Sequence, residues 1–397
     1  MAAAPSSPLH PSPFSRPTWA QINLVALQNN ARALFLAQGQ STPLIAVIKA
    51  NAYGHGAVEV AHALLAPQMK GAVKMLAVAS VDEGETLRAA GIAAPILLLS
   101  AILPEEAAAA VAFDLTVTLS TQEVAAALEV AARAQSKTAQ AHFKIDTGMS
   151  RLGFGLEHIA QEWQTLRQYS HLKVGGVFTH FACADEGSSE FSLRQIRAFE
   201  NSLAACGIAS SEYCIHAANS AAALRFAEAA YSAIRPGLAL YGSSPFGTRV
   251  SCSCELQPVM SLRARVTELR QVSCGQSVSY GATWTAARAS TLALVPIGYA
   301  DGYPRALSNQ GEVLLRGKRC PLVGRVTMDQ ILVDVTEIAP RIEVGEIVTV
   351  WGEGENGEAL PVEEAAEKAG TIAYELLCRV APRVPRIYNK SVVNHTT

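Results

Sequence analysis

Charge is scarce in this chain. Only 17% of its 397 residues are Asp, Glu, Lys or Arg, and the formal net charge at pH 7 is −2. Such a balance exerts no pull on nucleic acid or an acidic membrane surface, so neither is an expected partner. Long apolar runs are missing as well: no stretch of about 18 apolar residues occurs, which removes an ordinary helical membrane span. Metal-binding spacing is also missing. The eight cysteines (Cys183, Cys206, Cys214, Cys252, Cys254, Cys274, Cys320 and Cys378) form no Cys-x-x-Cys pair and have no companion His cluster, so no zinc site is written here. Free thiols in a reducing, cytoplasmic setting are the expectation. Residues 1–17 lack the basic start and apolar run of a secretion signal, and their Pro, Ser and Ala content reads as a loose arm.

What is present is apolar bulk, half of all residues, in a chain too long for one ordinary domain. Eight short apolar runs of strand type recur: Leu44–Ile48, Met75–Ala79, Ile96–Leu99, Leu115–Leu119, Ala141–Ile145, Val174–Thr179, Tyr213–Ala217 and Ser232–Arg235. Continuous apolar strands suit a parallel sheet buried on both faces, and Ala-rich intervals such as Glu105–Ala112 and Thr121–Ala134 supply crossover helices. Eight evenly spaced units favour a closed TIM (β/α)8 barrel over a doubly wound open sheet.

After residue 257 the period changes to two. Met260, Leu262, Ala264 and Val266 alternate with Ser261, Arg263, Arg265 and Thr267, the pattern of a half-buried strand. Further strand-like runs lie at Leu292–Ile297, Glu312–Leu315, Gln330–Val335 and Ile347–Trp351, with one helix at Val362–Lys368 stopped by Gly370. The fold class is therefore α/β: an arm over 1–17, a barrel over 18–256 and a mostly-β domain over 257–397.

A barrel keeps its chemistry at the carboxyl ends of its strands. Lys49, Lys144, Asp146, His180, His216, Asn219, Ser220 and Arg235 all fall at such ends. Lys49, directly after Leu44-Ile45-Ala46-Val47-Ile48, would be costly as a buried ammonium. Covalent attachment to a carbonyl cofactor removes that cost, because the amine loses its charge.

The stretch Ala46-Val47-Ile48-Lys49-Ala50-Asn51-Ala52-Tyr53-Gly54-His55-Gly56 resembles the pyridoxal 5′-phosphate signature of the alanine racemase family. Eight more segments resemble family motifs in order. They are Lys144–Gly153, Thr179–Ala182, His216–Ala221, Arg235–Gly237, Ser279–Gly281, Gly298–Tyr303, Gly324–Asp329 and Ala373–Glu375. The resemblance spans about residues 18–388.

The resemblance implies interconversion of L- and D-alanine, supplying D-alanine for peptidoglycan. Lys49 is then the cofactor lysine and the base for one face of the substrate, and Tyr280 the base for the other. Tyr53, Asn219, Ser220, Gly237, Leu238 and Tyr374 match positions that hold the cofactor phosphate. His180 matches the ring-stacking histidine and Arg235 the partner of the pyridine nitrogen. Arg151 and the backbone of Met328 match carboxylate contacts, and Lys144 matches a lysine that becomes carbamylated. Asp185, Tyr299, Arg305 and Arg325 match an access corridor that, with Tyr374, restricts the pocket to a methyl group. The implied unit is a homodimer with shared sites.

Thr327 stands where many members carry cysteine, which puts only corridor shape in question. Gly352-Glu353-Gly354-Glu355-Asn356-Gly357 fits a dinucleotide pattern but reads as a turn, since two glutamates would repel a pyrophosphate and no helix follows at once. Arg379, Arg383, Arg386 and Lys390 read as a solvated surface. Three rivals share the scaffold or the cofactor: a broad-specificity or serine racemase, a related decarboxylase, and a non-catalytic cofactor-homeostasis barrel. Tyr374 weighs against larger substrates. The β-domain with Tyr280 and Met328 weighs against the homeostasis barrel.

Overall fold

The computed structural model describes residues 16–37, 42–248, 254–338, 340–355 and 357–389. Two compact units are formed, one from residues 27–240 and 244–256, the other from residues 1–26, 241–243 and 257–397. The first strand, β1 (Thr18–Asn23), belongs to the second unit.

In the first unit seven parallel strands run side by side in chain order: β2 (Leu44–Val47), β3 (Val73–Val78), β4 (Ile96–Leu98), β5 (Thr116–Leu119), β6 (Ala139–Lys144), β7 (Leu172–Phe178) and β8 (Cys214–His216). The eighth run expected from the sequence, Ser232–Arg235, is too short to make a ladder of its own. It nonetheless bridges both ends of the sheet, with Ala233 beside His216 and Ile234 beside Leu44, and so closes the ring. Every residue of β2, β4 and β5 is buried, as strands covered on both faces must be. Helices cross between them. In Gln122–Ala134, Thr121 caps the first turn by accepting from the Val124 N–H, and Val124, Ala125, Leu128 and Ala132 fall on one buried stripe.

The second unit is built on a sheet in the order Lys318–Pro321, Glu312–Leu315, Ile347–Glu353, β9 (Met260–Arg265), β1, Arg386–Asn389. Here the structure corrects the sequence reading, which gave residues 18–26 to the barrel. Ala20 pairs antiparallel with Leu262 and parallel with Arg386, so β1 fills a central place in this sheet. A local pattern cannot reveal partners more than two hundred residues away. Strand β9 is likewise covered on both faces rather than half-buried, because Ser261 and Arg263 are buried with their apolar neighbours and Arg263 donates to the Glu353 carbonyl.

A second, three-stranded sheet joins Glu268–Val272, Ser290–Val295 and Ile331–Asp334, with its own core of Val272, Val278, Ala286, Leu292 and Val323. Each such valine or leucine stabilises the fold by roughly 1.5–3 kcal/mol relative to exposure. Helix Val362–Ala369 stops at Gly370, whose φ of 70° is the left-handed end that glycine adopts without steric cost. The Gly352 to Gly357 stretch links two antiparallel strands, Ile347–Glu353 and Ala359–Leu360; Asn356 lies outside the described residues.

The expected loose arm and basic surface are corrected in part. Residues 1–15 and Lys390 lie outside the described residues, but Arg16 is tied down. It pairs with Asp301 and donates to the carbonyls of Pro296 and Asp329 at 2.7 and 2.8 Å. Arg383 meets the same buried Asp301 at 2.8 Å and also Asp329. Arg386 donates to the carbonyls of Ala381, Val384 and Val380, and Arg379 pairs with Glu375. A fully buried carboxylate is tolerable only with such partners, so these arginines do structural work that residue type alone does not reveal.

Candidate active site

Lys49 follows the buried end of β2 and opens a turn with an unusual backbone. Ala50, Asn51, Ala52 and Tyr53 all have φ between 52° and 54°, a left-handed turn made without glycine. Each such residue costs roughly 1–2 kcal/mol, so the surroundings must impose the conformation. They do. Glu83 accepts from the N–H of Ala50 at 2.6 Å and of Ala79 at 2.7 Å, joining the turn to the end of β3. Asn51 accepts from the Ala57 N–H, and the His55 ring contacts the carbonyls of Ala52 and Tyr53 at 2.9 Å. Sequence reasoning missed Glu83, although Ser80-Val81-Asp82-Glu83 has the spacing of a capping box whose glutamate turns back on the backbone.

The turn delivers Tyr53 to the closing segment of the barrel. At Gly237 an added Cβ would stand 2.4 Å from the Tyr53 hydroxyl, so only glycine lets the two approach. The Ser220 hydroxyl lies at the same place, accepting from the N–H of Gly237 at 2.9 Å and of Ala239 at 3.2 Å. Asn219 caps the short helix Ser220–Arg225 by accepting from the Ala222 N–H, and Leu238 begins the turn beyond Gly237. Hydroxyls and backbone N–H groups thus converge where phosphate recognition was expected.

Arg235 is buried and held from several sides. It donates to the carbonyls of Thr179 and Ala217 at 2.7 and 2.8 Å and to His216 Nδ1 at 2.7 Å, approaches His180 Nδ1 at 3.2 Å, and lies over the Phe178 ring. Burial pulls its guanidinium down to about 9, which leaves it a cation at neutral pH. Burial, and then the Arg235 charge, hold the His180 and His216 rings well below the usual histidine range, so both are neutral.

Lys144, at the end of β6, is buried against the same Phe178 ring. Its amine is pulled down to about 8, by burial first and then by the charges of Arg235, Arg151 and Lys49, with Asp146 opposing. Four cations against one carboxylate leave this end of the barrel with an excess of positive charge. Arg151 and Asp185 are exposed, and the Asp146 carboxylate is engaged by the N–H groups of Gly148 and Ser150.

The second unit gathers nearly all of its expected residues in one place. A cavity of about 590 Å3 is lined by Tyr280, Tyr299, Arg305, Arg325, Thr327 and Met328, among others. Tyr374 is not on it; half-buried, it lies in the helix Ala373–Arg379. Tyr280 is 72% exposed, at the start of a tight turn flanked by Ser279 at φ 65° and Gly281 at φ 73°. The Ser279 hydroxyl donates to the Arg325 carbonyl, and a Cβ on Gly281 would press within 3.1 Å of the Arg325 guanidinium. Thr327 closes its own turn: its hydroxyl donates to the Gln330 carbonyl at 2.8 Å and accepts from the Gln330 N–H at 3.1 Å. The neighbouring carbonyls of Thr327 and Met328 accept from Tyr299 and Ala300, while the Met328 N–H donates to no group among the described residues.

Residues 22–245 match the family model described as alanine racemase, N-terminal domain, and residues 259–388 match the C-terminal domain. The chain belongs to the alanine racemase family.

Relatives at full length agree. An alanine racemase of Carboxydothermus hydrogenoformans is 44% identical, covering 94% of this chain and 100% of the relative, and one of Symbiobacterium thermophilum is 42% identical over 94% and 97%. Among solved structures, an alanine racemase of Clostridium difficile superposes with a TM-score of 0.85 at 37% identity, covering 95% of this chain and 97% of that one. One from Bacillus anthracis with bound L-Ala-P gives 0.85 at 35% identity over 96% and 97%. Within the alanine racemase family frame, the hydroxyl of Thr327 closes the turn that carries Met328.

Proposed function

We propose that this chain interconverts L- and D-alanine with pyridoxal 5′-phosphate held at the carboxyl ends of the barrel strands. One observation carries the reading: Lys49 on its strained turn, the Tyr53–Ser220–Gly237 cradle and the buried Arg235 all lie there, with Lys144 and Arg151 adding two further cations. Gly237 lets the Tyr53 hydroxyl reach the backbone beside Ser220, which sets two hydroxyls side by side as donors for an anion. Tyr53, Ser220 and the backbone of Gly237 and Leu238 would take the phosphate, with Asn219 and Tyr374 beside them. His180 would lie against the ring and Arg235 at its nitrogen. Once bound, the cofactor supplies the electron sink that makes the α-proton of an amino acid removable.

The residues divide the remaining work. Lys49 holds the cofactor and moves the proton on one face of the substrate. Tyr280 moves it on the other, since a single base cannot readily serve both faces. Arg151 and the unclaimed Met328 N–H hold the substrate carboxylate. Tyr299, Arg305 and Arg325, with Asp185, form the corridor.

The high exposure of Tyr280 and Met328 on their own unit supports their supplying a neighbouring subunit, hence a homodimer with shared sites. Unpaired Cys183, Cys206, Cys214, Cys274 and Cys320 support a reducing, cytoplasmic setting. The D-alanine formed suits peptidoglycan synthesis. Racemisation assays on a panel of L-amino acids test the assignment: alanine is expected to exceed serine and larger substrates in kcat/KM by about tenfold or more. Faster turnover of serine, or no turnover with cofactor added, would contradict it.

A further inference from the structure

One buried side chain near this site has no part in the scheme above. His142 stands on β6 two residues before Lys144, and its Nδ1 lies 2.8 Å from His216 Nε2. His216 Nδ1 in turn lies 2.7 Å from Arg235 Nη1. Three side chains from β6, β8 and the closing segment therefore form a file that ends on the guanidinium.

The direction of that file is fixed by chemistry. A guanidinium has donors only, so His216 Nδ1 must be bare and must accept. The proton of neutral His216 then sits on Nε2 and is donated to His142 Nδ1. His142 accordingly carries its own proton on Nε2. The barrel makes room for this arrangement: a Cβ on Gly176 of β7 would stand 2.6 and 2.7 Å from Cε1 and Nε2 of the His142 ring. A cavity of about 470 Å3 opens at the amino ends of the strands, where Lys74, Gln140, His142, Glu212 and Tyr213 are among the lining residues. With Nδ1 turned inward to His216, Nε2 is the nitrogen left for that cavity.

We propose that His142 is a positioning residue for racemisation: by accepting from His216 it holds that ring in the tautomer that receives Arg235, and so fixes the guanidinium. This rests on the reading of Arg235 as the partner of the cofactor nitrogen. Without an acceptor at position 142, the His216 Nε2–H is left buried without a partner, which raises that tautomer toward the one protonated on Nδ1, where the ring would face an Arg235 N–H, donor against donor. The guanidinium would then have to shift.

Imidazole 15N spectra of the holoenzyme, with kinetics of His142→Leu and His142→Asn, test this. The wild-type spectrum is expected to show Nε2–H and bare Nδ1 for both His142 and His216. His142→Leu is expected to shift the His216 signals toward a tautomer mixture and to lower kcat about tenfold, the scale of one lost hydrogen bond, with KM within about twofold. His142→Asn, whose amide oxygen can accept near the Nδ1 position, is expected to restore most of kcat. A wild-type His216 protonated on Nδ1 overturns the proposal, as does a folded His142→Leu with unchanged His216 signals and kcat, or His142→Asn as impaired as the leucine variant. Should His142→Leu not fold, the wild-type spectrum and His142→Asn decide. The tautomers can be read whether or not cofactor binds, so a failure of the cofactor assignment is distinguishable from a failure here.

Discussion

Lys144 is a buried amine among cations. Arg235 lies on the same Phe178 ring, and Arg151 and Lys49 add their charges, so the protonated form is disfavoured and the amine falls to about 8. A neutral amine can add carbon dioxide, forming an N–C bond and releasing one N–H proton to water, and the resulting carbamate anion sits among the charges of Arg235 and Arg151. Enzyme equilibrated with 13C-bicarbonate near pH 8 is expected to show one carbamate resonance that Lys144→Ala lacks; an unlabelled wild-type protein would contradict the modification. The lysines and Arg235 were legible in the sequence because a charged residue ending an apolar strand is conspicuous. The left-handed turn after Lys49 was not, because Ala50, Ala52 and Tyr53 are not residue types that favour positive φ; the turn is imposed from outside by Glu83 and the His55 ring.

Strands β6 and β8 bring three neutral histidine rings into the barrel, His142, His180 and His216, with His180 just beyond β7. His142 is lowered to about 3, by burial first and then by Lys74 and Arg235, and the other two lie well below the usual range. The unfolded chain takes up these protons near pH 6.5 while the folded chain refuses them. Between pH 6.5 and 5 the unfolded state therefore binds more protons, and stability falls as pH falls, by up to about 1.4 kcal/mol per pH unit for each ring. Denaturant midpoints should drop steadily across that window, above the range where most carboxylates titrate; a flat profile would argue against neutral buried rings. Strand positions and helix Val362–Ala369 were legible because burial on both faces and the Gly370 stop leave local marks. The eighth barrel strand was placed correctly but survives only as two bridges, since its carboxyl end is already committed to Arg235 and the Gly237 turn.

The chain as a whole divides its reactive groups between two units, each with its own core. The period changes near residue 257, where the chain re-enters the second unit, whereas the return of Thr18–Asn23 to that unit leaves no local mark, because its partners are distant in sequence. Exposure of Tyr280 and Met328 on the second unit argues for a site completed by a neighbouring copy. Sedimentation of the active enzyme is expected to give a dimer, and an active monomer would refute the shared site. The two-base scheme itself is read most directly from α-proton exchange in Tyr280→Phe. That variant should lose net racemisation by several orders of magnitude yet still exchange the α-proton of D-alanine with solvent deuterium through Lys49. Undiminished racemisation by Tyr280→Phe would contradict the account.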